Sequence, residues 1–248
     1  MPLSAVRTIR ILVEQPLRAG AELVLPDSAS GHLTRVLRLA AGARVLLFNG
    51  DGHDYAAVLL DTAHSAARVR IEHAQAAAAT ESPLALTLVQ SIARGEKMDW
   101  ILQKATELGV ARIVPVFTVR TEVRLDGGRG DKRLAHWRGV ICGACEQCGR
   151  ARLPRLDAPQ PLAHWLATAA REGPLLTLDP QSSTRVRDLP ALSAAQLVIG
   201  PEGGLDAADL QLLHAAGAQG LALGPRVLRT ETAGMAALAM LQSHHGDA

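Results

Sequence analysis

Aromatic side chains are scarce in this sequence: 248 residues hold three Trp, two Phe and one Tyr. A surface that reads RNA by stacking several bases on rings is therefore not expected. Cysteine is confined to Cys142, Cys145 and Cys148, which excludes a secreted disulfide framework. No apolar stretch reaches the ~18 residues needed to cross a bilayer, and no charged-then-apolar leader pattern opens the chain. The expected location is the cytoplasm, with no membrane partner. GxGxxG, the Walker loop, HExxH and GxSxG are all missing, which argues against a dinucleotide oxidoreductase, a P-loop enzyme, a zinc protease and a serine hydrolase. The nine histidines form no close His/Cys quartet, so no metal site is expected. Net charge is only +2, so any nucleic-acid surface must come from local clustering of basic residues.

What is present is a globular composition, 48% hydrophobic and 20% charged. Residues 1–74 read as short strands (RTIRILV, AELVLP, ARVLLFNG, YAAVLLDT, ARVRIEHA) around one helical stretch, SASGHLTRVLRL. That pattern suits a small barrel with a helix. Residues 75–83, QAAAATESP, lack apolar periodicity and read as a linker. From residue 84 to the C-terminus strands alternate with helices, which indicates an α/β domain with a mostly parallel sheet. KMDWILQKATELG is a helix closed by Gly109, with Met98, Ile101, Leu102, Ala105 and Leu108 on its buried face. Lys97, Trp100, Lys104 and Glu107 lie on an adjacent face, open to two readings: a solvated face or a surface that meets phosphate. Further helices are expected at 131–149, 161–171, 206–216 and from Thr230.

Three strand ends stop at loops rich in special residues: LDPQ (178–181), IGPEGGLD (199–206) and LGPRVLRTET (223–232). In a parallel sheet such ends form the ligand crevice. GPEGG offers backbone N–H groups unobstructed by Cβ atoms, beside a helix start that Asp206 can cap. The helix after RTET is apolar on all sides. In HLTRVLRL, Arg35 and Arg38 stand one turn apart, with Leu33, Val36 and Leu37 packing inward. The spacing CxxCxxC at 142–148 suggests a metal cluster but lacks the further Cys-Pro of the ferredoxin run. It equally fits one face of a helix, the reading favoured here.

Taken together, RGEKMDWILQKATELGV, ACEQCGRARLP, IGPEGGL and LGPRVLRTETA, in this order, resemble the RsmE family of bacterial ribosomal RNA methyltransferases, and HLTRVLRL resembles that family's PUA-like RNA-binding part. The resemblance spans essentially the whole chain. It implies a SPOUT-type α/β knot, a deep trefoil knot on a mostly parallel sheet, with an N-terminal PUA-like β-barrel. The implied domains are 1–74 for RNA binding and 84–248 for catalysis, joined by 75–83. It implies methylation of N3 of a uridine in small-subunit ribosomal RNA, with S-adenosylmethionine (SAM) as cofactor. The partners would be that RNA or the assembled small subunit, and a second copy of the chain in a homodimer.

By the same resemblance, Leu178, Ile199, Gly200, Pro201, Glu202, Gly203 and Gly204 would form one side of the cofactor site. Leu223, Gly224, Val227, Leu228 and Thr230 would form the other. Arg229 would meet the base or its developing charge, and Glu231 and Glu202 are the candidates for proton handling. Arg94, Lys97 and Arg150 would hold RNA phosphates, and Arg7, Arg10, Arg35 and Arg38 would extend that track. Two alternatives stay open on the sequence: a non-catalytic ribosomal-RNA-binding assembly factor, and a related enzyme acting on another nucleotide.

Overall fold

The computed structural model describes residues 9–61, 66–77, 80–125 and 128–248. They divide into two compact units, one running to Thr80 and including Cys145–Leu153, the other comprising Glu81–Ala144 and Pro154–Ala248.

The first unit is a curled five-stranded sheet. Its strands are β1 (Arg10–Leu12), β2 (Glu22–Val24), β3 (Arg44–Phe48), β4 (His53–Asp61) and β5 (Arg68–Ala76), in the order β1-β3-β4-β5-β2. β5 therefore covers the first two residues of the expected linker. Alternating side chains, Val45, Leu47, Tyr55, Ala57, Leu59, Val69 and Ile71, fill one core together with Leu25 and Leu33. Helix α1 (Asp27–Gly31) packs Ala29 into it and runs into a π-turn at His32–Val36, where the Leu37 amide bonds the His32 carbonyl at 2.9 Å. This wider turn changes the expected facing: Leu33 is buried, but Val36 is 67% exposed and Leu37 is also exposed. Arg38 then takes φ 53, which ends the helix.

Arg10 belongs to this core rather than to a surface. One guanidinium nitrogen is 2.6 Å from Asp54, another donates to the Cys145 and Arg150 carbonyls, and the group lies 4.6 Å over the Phe48 ring. The Leu12 amide donates to Glu146 at 3.0 Å. These bonds tie residues 145–153 to the first unit.

The second unit carries a seven-stranded sheet, all of whose pairings are parallel. Its strands are β6 (Ala85–Ser91), β7 (Arg112–Phe117), β8 (Arg155–Leu156), β9 (Gln160–Pro161), β10 (Leu175–Leu178), β11 (Ala194–Ile199) and β12 (Gln219–Leu221). The order is β12-β10-β11-β6-β7-β8, with β9 also on β7. Central strands β6 and β11 are buried almost throughout, as a sheet covered on both faces requires. The helices are α2 (Glu96–Glu107), α3 (Gly128–Cys148), α4 (Leu162–Thr168), α5 (Ala207–Ala215) and α6 (Thr230–His245).

Helix α2 buries Met98, Ile101, Leu102 and Ala105 along one stripe. It closes in a Schellman motif: Gly109 takes φ 77 and donates to Thr106, and Val110 donates to Ala105. Helix α3 buries Trp137, Ile141, Ala144 and Cys145, so that cysteine packs as a small apolar residue. Among the described residues no helix is long and apolar enough to cross a membrane.

After the edge strand β12 the chain turns back. The loop following β10 lies against it, with bonds from Ser182 Oγ to the Gly220 carbonyl (2.8 Å) and from the Ala222 amide to the Thr184 carbonyl (2.9 Å). Helix α6 then returns to pack on α2, on β11 and on the short 3₁₀ turn Val186–Asp188. The result is the mostly parallel sheet the sequence implies, with α6 folded back over it.

Candidate active site

Because β12, β10, β11 and β6 are adjacent and parallel, their carboxyl ends meet at one edge. The loops that leave them enclose a cavity of about 1200 Å³. Leu178 and Asp179 come from β10, Ile199 to Gly204 from β11, and Leu223 to Glu231 from the segment between β12 and α6. All the residues expected to form the cofactor site line this cavity: Leu178, Ile199, Gly200, Pro201, Glu202, Gly203, Gly204, Leu223, Gly224, Val227, Leu228 and Thr230. Arg229 and Glu231 line it too.

The glycine loop is held from several sides. The Gly204 amide closes a turn on the Pro201 carbonyl at 2.9 Å. Asp206 caps α5 by accepting from Ala208, and Asp209 accepts the Asp206 amide in return, a capping box. Arg120, in the loop after β7, donates to the Gly203 carbonyl at 2.8 Å and approaches Asp206 at 3.3 Å. Across the cavity Gly224 has φ 133, a conformation L side chains rarely adopt. The backbone amides of Gly224, Val227 and Leu228 take no hydrogen bond among the described residues, which leaves them as donors for a ligand.

Charge concentrates at the start of α6. Lys97, on the first turn of α2, places its ammonium 3.5 Å from Glu202 and 3.8 Å from Glu231. Burial raises the Glu202 carboxyl. The Arg94 amide (3.1 Å), its own backbone amide and Lys97 outweigh that and hold it below the usual carboxylate range. Glu231 differs, since its Oε2 is buried and has no hydrogen-bond partner among the described residues. Arg229 precedes the helix as a non-helical cap residue whose carbonyl accepts the Thr232 and Ala233 amides. Its side chain is exposed.

The expected phosphate contacts divide. Arg35 and Arg38 are exposed on the first unit. Arg94 is exposed and pairs with Glu122 at 2.7 Å. Lys97 faces the two carboxylates instead of an open basic face, and Lys104 is taken by Glu107 at 2.9 Å. Two expectations are corrected. Arg10 is 9% exposed and spent on Asp54 and two carbonyls, and Arg150 is buried, so neither presents a guanidinium to RNA. Arg7 lies outside the described residues.

Sequence reading missed Arg120, Asp179 and Gln90. Arg120 gave no signal at all. Asp179 sat inside the LDPQ loop already singled out, and Gln90 is a polar residue in an apolar strand run.

The chain matches two families. Residues 80–242 match the RNA methyltransferase domain, and residues 25–72 match the RNA methyltransferase PUA domain. A Legionella pneumophila protein solved in complex with the cofactor SAM is 40% identical, covers 98% of this chain and 100% of its own, and superimposes with a TM-score of 0.93. Ribosomal RNA small subunit methyltransferase E from Neisseria gonorrhoeae, solved bound to S-adenosyl methionine, is 36% identical over 97% of this chain and 99% of its own, with a TM-score of 0.89. The protein of that name from Synechocystis is 31% identical, over 97% of this chain and 79% of its own length. The chain belongs to the RNA methyltransferase family represented by ribosomal RNA small subunit methyltransferase E.

Proposed function

We propose that this protein methylates N3 of a uridine in small-subunit ribosomal RNA, with SAM as methyl donor. The observation that carries the reading is the cavity at the strand ends, where the Gly200–Gly204 and Leu223–Thr230 loops face each other beside two carboxylates and two cations. The cavity exceeds the ~300–1,000 Å³ of most small-molecule pockets, enough for a cofactor and a splayed-out base. The free amides of Gly224, Val227 and Leu228 suit an adenine, and Leu178, Ile199 and Leu223 supply apolar walls. SAM, when bound, supplies an electrophilic methyl group.

The chain's own residues then have three tasks. The loops align the nucleophile with the methyl, which supplies much of the rate of an in-line displacement. N3 is a poor nucleophile while protonated, so a base must take its proton. Glu202 is engaged by the Arg94 amide and by Lys97 at 3.5 Å, whereas the buried Glu231 Oε2 takes no hydrogen bond among the described residues and has Lys97 only at 3.8 Å. We therefore assign proton acceptance to Glu231, and to Glu202 the holding of Lys97. Arg229 stabilises the negative charge that develops on the base.

Residues 1–74 bind RNA in this reading and residues 84–248 carry catalysis. Arg35, Arg38 and Arg94 serve as phosphate contacts. A homodimer formed over α6, where Ala233, Ala236 and Met240 are only half buried, accounts for the apolar sequence of that helix. The protein works in the cytoplasm, where ribosomal RNA is found.

The test is methyl transfer from labelled SAM to small subunits and to naked ribosomal RNA that lack the modification, followed by nucleoside separation. Label in 3-methyluridine is the expected result. Label in another nucleoside would move the target. Neither label nor SAM binding would replace the enzyme by a ribosomal-RNA-binding assembly factor.

A further inference from the structure

Gln90 lies near the end of β6, fully buried and behind the cavity wall rather than in it. Its Nε2 donates to the Ser91 carbonyl at 2.9 Å and to Thr230 Oγ1 at 3.1 Å. Thr230 Oγ1 donates its one proton to the Gly200 carbonyl at 2.6 Å. These bonds fix a direction. Turning the amide over would set its oxygen against the Ser91 carbonyl, so the nitrogen must face both acceptors. The hydroxyl can then only accept from Gln90 and give to Gly200.

The remaining amide oxygen, Oε1, has no partner among the described residues. It faces Gly234 of α6, where a Cβ would stand 3.7 Å away. A buried carbonyl oxygen left unpaired is costly. An apolar side chain of similar length would fill the same space without that cost. What the amide adds is the donor to Thr230.

Gly200 opens the glycine loop and Thr230 opens α6, one residue before Glu231. We infer that Gln90 is a positioning residue: it orients the Thr230 hydroxyl so that the loop leaving β11 is locked to the first turn of α6, which sets the spacing of the two walls of the cofactor site. The inference rests on the cofactor reading above for its effect on SAM. The lock itself is a property of the free protein.

The experiment uses Gln90→Met, which removes the donor at similar length, Thr230→Val, their combination, and Gln90→Glu. Gln90→Glu keeps the shape but, as a carboxylate, takes the hydroxyl proton instead of donating to it. SAM dissociation constants are measured by calorimetry, and amide hydrogen exchange is followed in the free proteins. Each single variant breaks the Gln90–Thr230 bond and should weaken SAM by about tenfold, and the double variant should be no worse than the worse single one. Gln90→Glu should be impaired at pH 8 and recover as pH falls and the buried acid gains a proton to donate. Exchange should quicken in both 199–205 and 229–233.

Additive losses in the double variant, a Gln90→Glu variant whose SAM affinity does not recover at low pH, or faster exchange confined to β6 would overturn the inference. If the natural protein binds no SAM, the cofactor reading fails, and the exchange pattern alone still decides whether the lock exists.

Discussion

The N-terminal unit turns a cation inward, and the catalytic unit leaves one at the mouth of its cavity. Arg10 is 9% exposed, paired with Asp54, bonded to two carbonyls and stacked on Phe48. Arg229 is exposed at the start of α6, and among the described residues only its backbone is engaged. A guanidinium bonded to a carboxylate and two carbonyls fixes a structure. One whose donors are unused is available to charge that arrives with a ligand. Both arginines sit in short basic stretches next to apolar ones, so composition does not separate them.

The sharpest way to break this comparison is Arg10→Met. It leaves the buried Asp54 carboxylate without its counter-charge, and losing one partner of a buried pair costs about 3–5 kcal/mol. Denaturant titration should show that loss. Unchanged stability together with weaker RNA binding would restore Arg10 to the phosphate track.

On the other side, Glu231→Gln should lower single-turnover methyl transfer by about 10²–10⁴-fold, the usual range for a positioned base. Glu202→Gln should lower it far less. Equal losses would remove the distinction between the two carboxylates. Arg229→Ala should cost about 10²–10³-fold in the same assay, as for one lost charge-stabilising donor. Its thermal midpoint and SAM affinity should stay unchanged, and a destabilised variant would make Arg229 structural like Arg10.

Within the N-terminal unit the comparison can be sharpened between arginines. Arg35 and Arg38 are exposed where Arg10 is not. Replacing both by Ala should leave stability within about 0.5 kcal/mol. If both contact single-stranded RNA phosphates, the slope of log affinity against log salt should fall by about 1.4. An unchanged slope would take them off the RNA path.

Much of the catalytic unit was readable because its signals are local. Gly109 closes α2, Asp206 caps α5, and the special residues at three strand ends mark the cavity wall. The fate of each cation was not readable, because it depends on distant partners. Arg10 is settled by Asp54 and by carbonyls 135 and 140 positions away. Lys97 is settled by Glu202 of the loop after β11 and by Glu231 of α6, which reach it only once the chain has folded. The π-turn after α1 defeated a 3.6-residue count and exposed Val36 and Leu37.

Lys97 carries the comparison to its smallest and most specific consequence, because it is a cation engaged at the site itself. Glu202 titrates below its ordinary range in the folded protein: burial raises it, and the Arg94 amide, its own amide and Lys97 together lower it further. A carboxylate with a depressed folded value adds stability that is complete above its unfolded value and is lost as pH falls through the folded one. Lys97→Met removes one of the groups that lower Glu202, so its folded value rises toward the unfolded one and the stability lost on acidification shrinks. Thermal midpoints measured from pH 3 to 7 should lie below the natural protein's at neutral pH and close on them as pH falls and Glu202 is protonated in both. Because Glu202 is partly solvated, the gap at neutral pH should be small. Parallel curves across the whole range would mean that Lys97 does not hold Glu202, and would return it to the phosphate contacts first expected of it.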